Sequence, residues 1–155
     1  MPETGATYAE NAILKAAAAA EATGLPALGD DSGLEVAALA GEPGLHSRRL
    51  GRTQAARNAE LWRRLASLPR PWRARFVAVL ALARPGQAPA VYRGQVEGEL
   101  LPEARGSGGF GYDPIFYLPD LGRTFAELEP AQKDRWSHRG RAARALLESG
   151  ALSSL

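Results

Sequence analysis

Arg75-Phe76-Val77-Ala78-Val79-Leu80-Ala81-Leu82-Ala83 is apolar and β-branched enough to form a strand buried in a sheet. It decides the fold, because helical patterns stand on both sides of the sheet elements it organises. Pro85-Gly86 turns the chain, and 90–101, with Val91, Arg93, Val96 and Glu97, reads as its partner in a long antiparallel hairpin. Upstream, Thr53 can cap a helix running to about Leu68 along a stripe of Ala55, Ala59, Leu61, Trp62, Leu65 and Leu68. Leu68-Pro69-Arg70-Pro71 ends it. Further back, Thr7-Tyr8-Ala9-Glu10 is a capping box that predicts a helix over 8–22, stopped by Gly24 and Pro26. The small residues Ala16 to Ala20 suit a helix that approaches another element closely. Between these helices, 26–39 reads as a short strand, a polar turn at Asp30-Asp31-Ser32-Gly33 and a second apolar stretch, followed by a turn at Gly41-Glu42-Pro43-Gly44. Downstream, a glycine-rich loop over 107–113 leads into a short strand at 114–117. Two helical pieces follow, with Ser137 capping the second and Gly150 beyond its end. Strands alternate with helices and nothing repeats, so the expected class is α/β, in one domain over 1–155.

Composition narrows the function. The chain has 155 residues, 45% hydrophobic and 23% charged, enough to bury a core and too apolar for general disorder. Nineteen Lys and Arg against seventeen Asp and Glu leave a net charge of +2. That is too small for a duplex-binding footprint despite a pI near 9.3, so no nucleic-acid partner is expected. The absence of cysteine excludes disulfides, thiol nucleophiles and thiolate metal sites, and two histidines, His46 and His138, exclude a histidine cage. No stretch approaches the ~18 apolar residues of a membrane span, and Met1-Pro2-Glu3-Thr4 is not the start of a secretory signal. A cytoplasmic protein without a membrane partner is the expectation.

Four places could carry chemistry. Asp30 and Asp31 repel as neighbours and would be stabilised in ionised form by a shared hard cation such as Mg²⁺, with Ser32 and Gly33 offering a hydroxyl and backbone to a phosphate. The same residues also make an ordinary Asx turn or cap. Gly106-Ser107-Gly108-Gly109-Phe110-Gly111-Tyr112-Asp113 combines close backbone approach with an aromatic face for a base. Asp113, restricted by Pro114, can aim its carboxylate at a ligand; the alternative is a hairpin loop with its aromatics in the core. Lys133, His138 and Arg139 flank a capped helix start and suit an anion or a base edge, though each alone is also an ordinary surface group. Lys15, further along the first helix than Glu10, could reach a phosphate or be simply exposed. His46, Trp62, Trp72 and Trp136 read as packing or surface residues, and the Arg48-Arg49 and Arg63-Arg64 pairs as solvated faces.

Taken in order, Asn11-Ala12-Ile13-Leu14-Lys15-Ala16, Leu28-Gly29-Asp30-Asp31-Ser32-Gly33-Leu34-Glu35-Val36, Gly109-Phe110-Gly111-Tyr112-Asp113-Pro114-Ile115-Phe116, Thr124-Phe125-Ala126-Glu127-Leu128 with Lys133, and Ser137-His138-Arg139-Gly140 closely resemble the inosine triphosphate pyrophosphatase family. The resemblance runs over essentially the whole chain. It implies an elongated α/β fold around a twisted mixed sheet with a central substrate cleft, usually as a homodimer. The activity implied is Mg²⁺-dependent hydrolysis of ITP, dITP and XTP between the α- and β-phosphates, giving a nucleoside monophosphate and pyrophosphate. It further implies that Asp31 is the catalytic carboxylate and binds Mg²⁺, with Asp30 in support and Glu3 at an acidic position associated with the metal. Ser32 and Lys15 would contact substrate, Phe110 would stack on the purine, and Gly111, Tyr112 and Asp113 would line the base pocket. Lys133, His138 and Arg139 would read a 6-oxo edge that adenine lacks. Gly29 stands where the family usually has alanine, and Asp134 where Asn or Ser is common. Nothing in the chain matches the family's Thr/Ser-Gly-Asn-x-x-Lys loop, so the resemblance implies a missing strand–helix segment of roughly 30 residues, the size of a βαβ unit. Two other functions are consistent with these residues: an inactive nucleotide-binding or dimerisation module of the same fold, and a hydrolase of other modified nucleotides such as pyrimidine triphosphates.

Overall fold

The computed structural model describes residues 4–154. Helix α1 (Tyr8–Thr23) begins where the Thr7 hydroxyl accepts from Glu10 N at 3.1 Å. The reciprocal bond goes one residue upstream, from Ala6 N to Glu10 Oε2, so the capping pair also ties down the entering chain. Gly24 ends the helix in the left-handed conformation that glycine adopts without strain (φ 70°). Strand β1 (Ala27–Val36), α2 (Gln54–Leu65, capped by Thr53), β2 (Trp72–Ala83) and β3 (Ala90–Leu100) follow. The rest comprises β4 (Phe116–Leu118), β5 (Arg123–Thr124), α3 (Pro130–Trp136) and α4 (His138–Glu148), with single helical turns between them. The Ser137 hydroxyl caps α4 by accepting from Gly140 N at 3.0 Å.

The sheet order is β1-β2-β3-β4-β5. Glu35, near the end of β1, pairs with Arg75, near the start of β2, at 2.6 Å, so these neighbours run in opposite directions. A tight turn makes β2 and β3 antiparallel, and Leu100 opposite Phe116 and Tyr117 opposite Thr124 continue the pattern. The α/β class is as expected. The described strands are antiparallel to their neighbours throughout, where the resemblance implied a mixed sheet.

The expected polar turn is overturned. Asp30-Asp31-Ser32-Gly33 is not a turn but the middle of β1. Four residues that usually bend a chain are held extended by neighbours on the sheet and by contacts of their side chains. A further turn of helix at Asp113–Ile115 replaces the start of the short strand expected at 114–117, which instead spans Phe116–Leu118.

The chain divides into two compact units: the described residues up to Ser32 with Val77–Gln95 and those from Ser137 onward, and Gly33–Phe76 with Val96–Trp136. In the first, β2 contributes Val77, Ala78, Val79, Ala81, Leu82 and Ala83, all buried, and α1 contributes Ala12, Ala16 and Ala20. The small face of α1 serves the close approach expected of it. A Cβ at Gly29 would stand 2.3 Å from Ala12 O and 2.6 Å from Ala16 N. Those two atoms are one i, i+4 pair of the helix backbone, so a glycine in β1 seats α1 directly against the strand. In the second unit, Leu34, Val36, Leu61, Leu65, Trp72, Phe76 and Leu100 pack around the rings of Phe116 and Phe125, whose centroids are 5.2 Å apart.

Candidate active site

The pleat of β1 sends its two aspartates to opposite faces, because successive strand residues alternate. Asp31 faces α1. Its Oδ1 accepts from Lys15 Nζ at 3.0 Å and its Oδ2 from Asn11 Nδ2 at 3.1 Å. Lys15 also donates to Asp30 O at 2.9 Å. Asn11 and Lys15 are i, i+4 on α1 and therefore present one face to the strand. Asn11 is only 3% exposed and Asp31 only 8%, so this is a buried carboxylate held by an ammonium and an amide. Asn11 also accepts from Gly5 N at 2.8 Å. It went unassigned in the sequence, where its spacing from Lys15 was the available signal.

Asp30 points the other way, toward α4. Its Oδ2 accepts from Arg139 Nε at 2.8 Å, and Ser32 Oγ, on the same face of β1, accepts from Arg139 Nη2 at 2.9 Å. The expectation that Asp30 and Asp31 lie in a common turn is corrected accordingly: they are successive residues of an extended strand, with their carboxylates on opposite faces. His138, next to Arg139, is buried at the start of α4. Glu3 lies outside the described residues.

In the second unit, the glycine-rich loop is built around another carboxylate–ammonium pair. Asp113, 3% exposed, accepts from Phe110 N at 2.8 Å and from Lys133 Nζ at 2.5 Å. It is turned into the protein rather than aimed outward, which corrects the reading from Pro114. Lys133 Nζ also lies 4.5 Å from the centre of the Phe110 ring. That ring is 64% exposed, unusual for phenylalanine, and presents an aromatic face. Tyr112, expected to line a pocket, packs instead in the hydrophobic core, and burial pushes its phenol above the ordinary range. Gly111 (φ 62°) has open space around its Cα.

Gly109 is required where it stands. Its φ is +69°, and a Cβ there would lie 2.1 Å from Asp113 Oδ2 and 3.0 Å from Lys133 Nζ. Gly109→Ala should therefore disturb the pair that supports Phe110 and destabilise the protein by roughly 1–3 kcal/mol of backbone strain. Thermal unfolding measures this; a variant that melts with the parent would show that the loop accommodates the methyl without strain.

Comparison with known proteins fixes the lineage. The sequence profile of the Ham1 family is matched over residues 1–149. The chain belongs to the Ham1 family. It is 58% identical over 150 residues to the dITP/XTP pyrophosphatase of Thermus thermophilus, covering 95% of this chain and 72% of that protein. It is 52% identical to the dITP/XTP pyrophosphatase of Gloeobacter violaceus, over 94% of this chain and 74% of that one. Among solved structures, the Ham1 protein of Staphylococcus aureus superposes with a TM-score of 0.90 at 43% identity, covering 99% of this chain and 81% of its own. For the Ham1 protein of Coxiella burnetii the TM-score is again 0.90, at 46% identity over 100% and 81%.

Proposed function

We infer that this Ham1 chain is a hydrolase of non-standard purine nucleoside triphosphates, converting dITP, ITP and XTP to the nucleoside monophosphate and pyrophosphate. The observation that carries this is its 58% identity, over 95% of its length, to a dITP/XTP pyrophosphatase. The site chemistry agrees. Water adds to the α-phosphorus, the bond to the oxygen bridging to the β-phosphorus breaks, and pyrophosphate leaves with that oxygen. Asp31 is the carboxylate to orient the water and take its proton, its position fixed from two sides by Lys15 and Asn11. Lys15, beside it, supplies positive charge for phosphate oxygens. Phe110 offers a stacking face, and Lys133, His138 and Arg139 are the candidate readers of the base.

Mg²⁺ is the cofactor we propose. Among the described residues no cluster of three His, Asp or Glu side chains stands ready to cage a cation. Among the described residues Asp31 fits, since Mg²⁺ is ordinarily held by one or two carboxylates together with substrate phosphates and water. When bound, the ion would neutralise charge on the phosphates. Asp30 stands on the opposite face of β1, with its Oδ2 held by Arg139. No helix among the described residues is long and apolar enough to cross a membrane. A homodimer is the assembly we expect, tested by light scattering after gel filtration.

The deciding experiment is pyrophosphate release from a panel of dITP, XTP, dGTP, dATP and dUTP with Mg²⁺ present. Release from dITP and XTP well above that from dATP and dGTP is expected. Faster release from dUTP would overturn the purine assignment, and nucleotide binding without release would make the chain a binding module.

A further inference from the structure

We propose that Asp30 is a specificity-positioning residue that fixes the plane of Arg139 through the opposite face of β1 from Asp31. The proposal rests on the reading of Arg139 as a group that meets the purine edge.

Asp30 and Ser32 are i, i+2 on one strand, so both project from the same face about 7 Å apart along it. The Arg139 guanidinium donates to both, by Nε at 2.8 Å and Nη2 at 2.9 Å. One contact would leave a guanidinium able to swing about its hydrogen bond. Two contacts from different nitrogens of a planar group fix its plane, which a lysine could not reproduce. That matters for base reading, because an arginine discriminates purine edges through the fixed geometry of its donors. Ser137 caps the start of α4, placing the Arg139 backbone on a defined first turn. The two side chains, Arg139 and Asp30, are 41% and 43% exposed, too open for a charge pair whose main use is stability. The separation of the two aspartates thus divides labour along one strand: Asp31 with Asn11 and Lys15 on one side, Asp30 and Ser32 with Arg139 on the other.

The test compares Asp30→Asn, Asp30→Ala, Ser32→Ala and Arg139→Ala with the parent protein, by three readouts. The first is the ratio of kcat/KM for dITP to that for dATP. Asp30→Asn should lower it about three- to fivefold, the scale of a half-exposed ion pair, and Ser32→Ala less. The second is binding of dIMP without metal by calorimetry, which should weaken by a similar factor. The third is the Arg139 Nε–H signal in NMR, which should lose its exchange protection in Asp30→Ala, where no acceptor remains. The concentration of Mg²⁺ for half-activation should stay within twofold. A tenfold rise in that concentration would make Asp30 a metal ligand and overturn the proposal. So would an Nε–H that stays protected in Asp30→Ala, whatever the base preference does. If Arg139→Ala leaves the ratio unchanged while Asp30→Ala releases the Nε–H, the failure lies in the base-reading role of Arg139, and the specificity claim falls with it.

Discussion

Asp31→Asn should slow pyrophosphate release from dITP by ~10²–10⁴-fold, the range for removing a positioned general base, while leaving the KM within a few-fold. The substitution keeps the size and shape of the side chain and changes what it can accept. In the native protein both carboxylate oxygens receive donors, Lys15 Nζ at 3.0 Å and Asn11 Nδ2 at 3.1 Å. An amide has one acceptor oxygen, so one of those donors would meet an NH₂ group, and the ammonium would lose its counter-charge. The base contacts proposed for the glycine-rich loop do not involve Asp31, and for that reason binding of dIMP should persist. Stopped-flow or coupled measurement of pyrophosphate gives kcat, and calorimetry gives binding. A kcat within tenfold of the parent would remove Asp31 from the role of activating carboxylate. Loss of dIMP binding together with kcat would instead mark a folding defect, which circular dichroism and thermal unfolding would reveal.

How much of this was legible in the sequence follows from the range of the interactions. The caps at Thr7, Thr53 and Ser137 are local, between a hydroxyl and a backbone N–H three residues on, and each was readable. So was the β2–β3 hairpin, whose turn lies between its strands. The extended state of Asp30-Asp31-Ser32-Gly33 was not readable, because local propensity favours a turn there. What overrides it is distant: Lys15 and Asn11 lie 16 and 20 residues from Asp31, and Arg139 lies 109 from Asp30. The resemblance to a family pointed to the candidate residues but not to the face of the strand each occupies. The engagement of Asp113 by Lys133 was hidden for the same reason, since 20 residues separate them.

Gly94→Ala should lower the melting temperature by ~1–10 °C and blunt base discrimination with it. Gly94 lies in β3, and a Cβ there would stand 2.1 Å from His138 O and 2.4 Å from Ala142 N. Those atoms are again an i, i+4 backbone pair, in the first turn of α4, so the methyl would press on the helix's own hydrogen bond. Two opposed effects have to be weighed. Alanine restricts the unfolded chain and would stabilise by about 0.4–1 kcal/mol where the site accepted it. Overpacking against backbone, which cannot rotate away as a side chain can, costs about 1–3 kcal/mol. The second is larger, and each net kcal/mol moves the melting point of a chain of this size by roughly 2–4 °C. The helix start cannot yield without carrying Arg139 with it, and Arg139 is held to Asp30 and Ser32 within 2.9 Å. A shift of a few tenths of an ångström would stretch both contacts. The ratio of kcat/KM for dITP to that for dATP should therefore fall in Gly94→Ala, in the same direction as in Asp30→Asn. Differential scanning calorimetry and the nucleotide panel measure the two effects on one preparation. A variant that melts with the parent would mean that α4 moves off the sheet at no cost, and that the close seating of helix on strand is not what holds Arg139 in place.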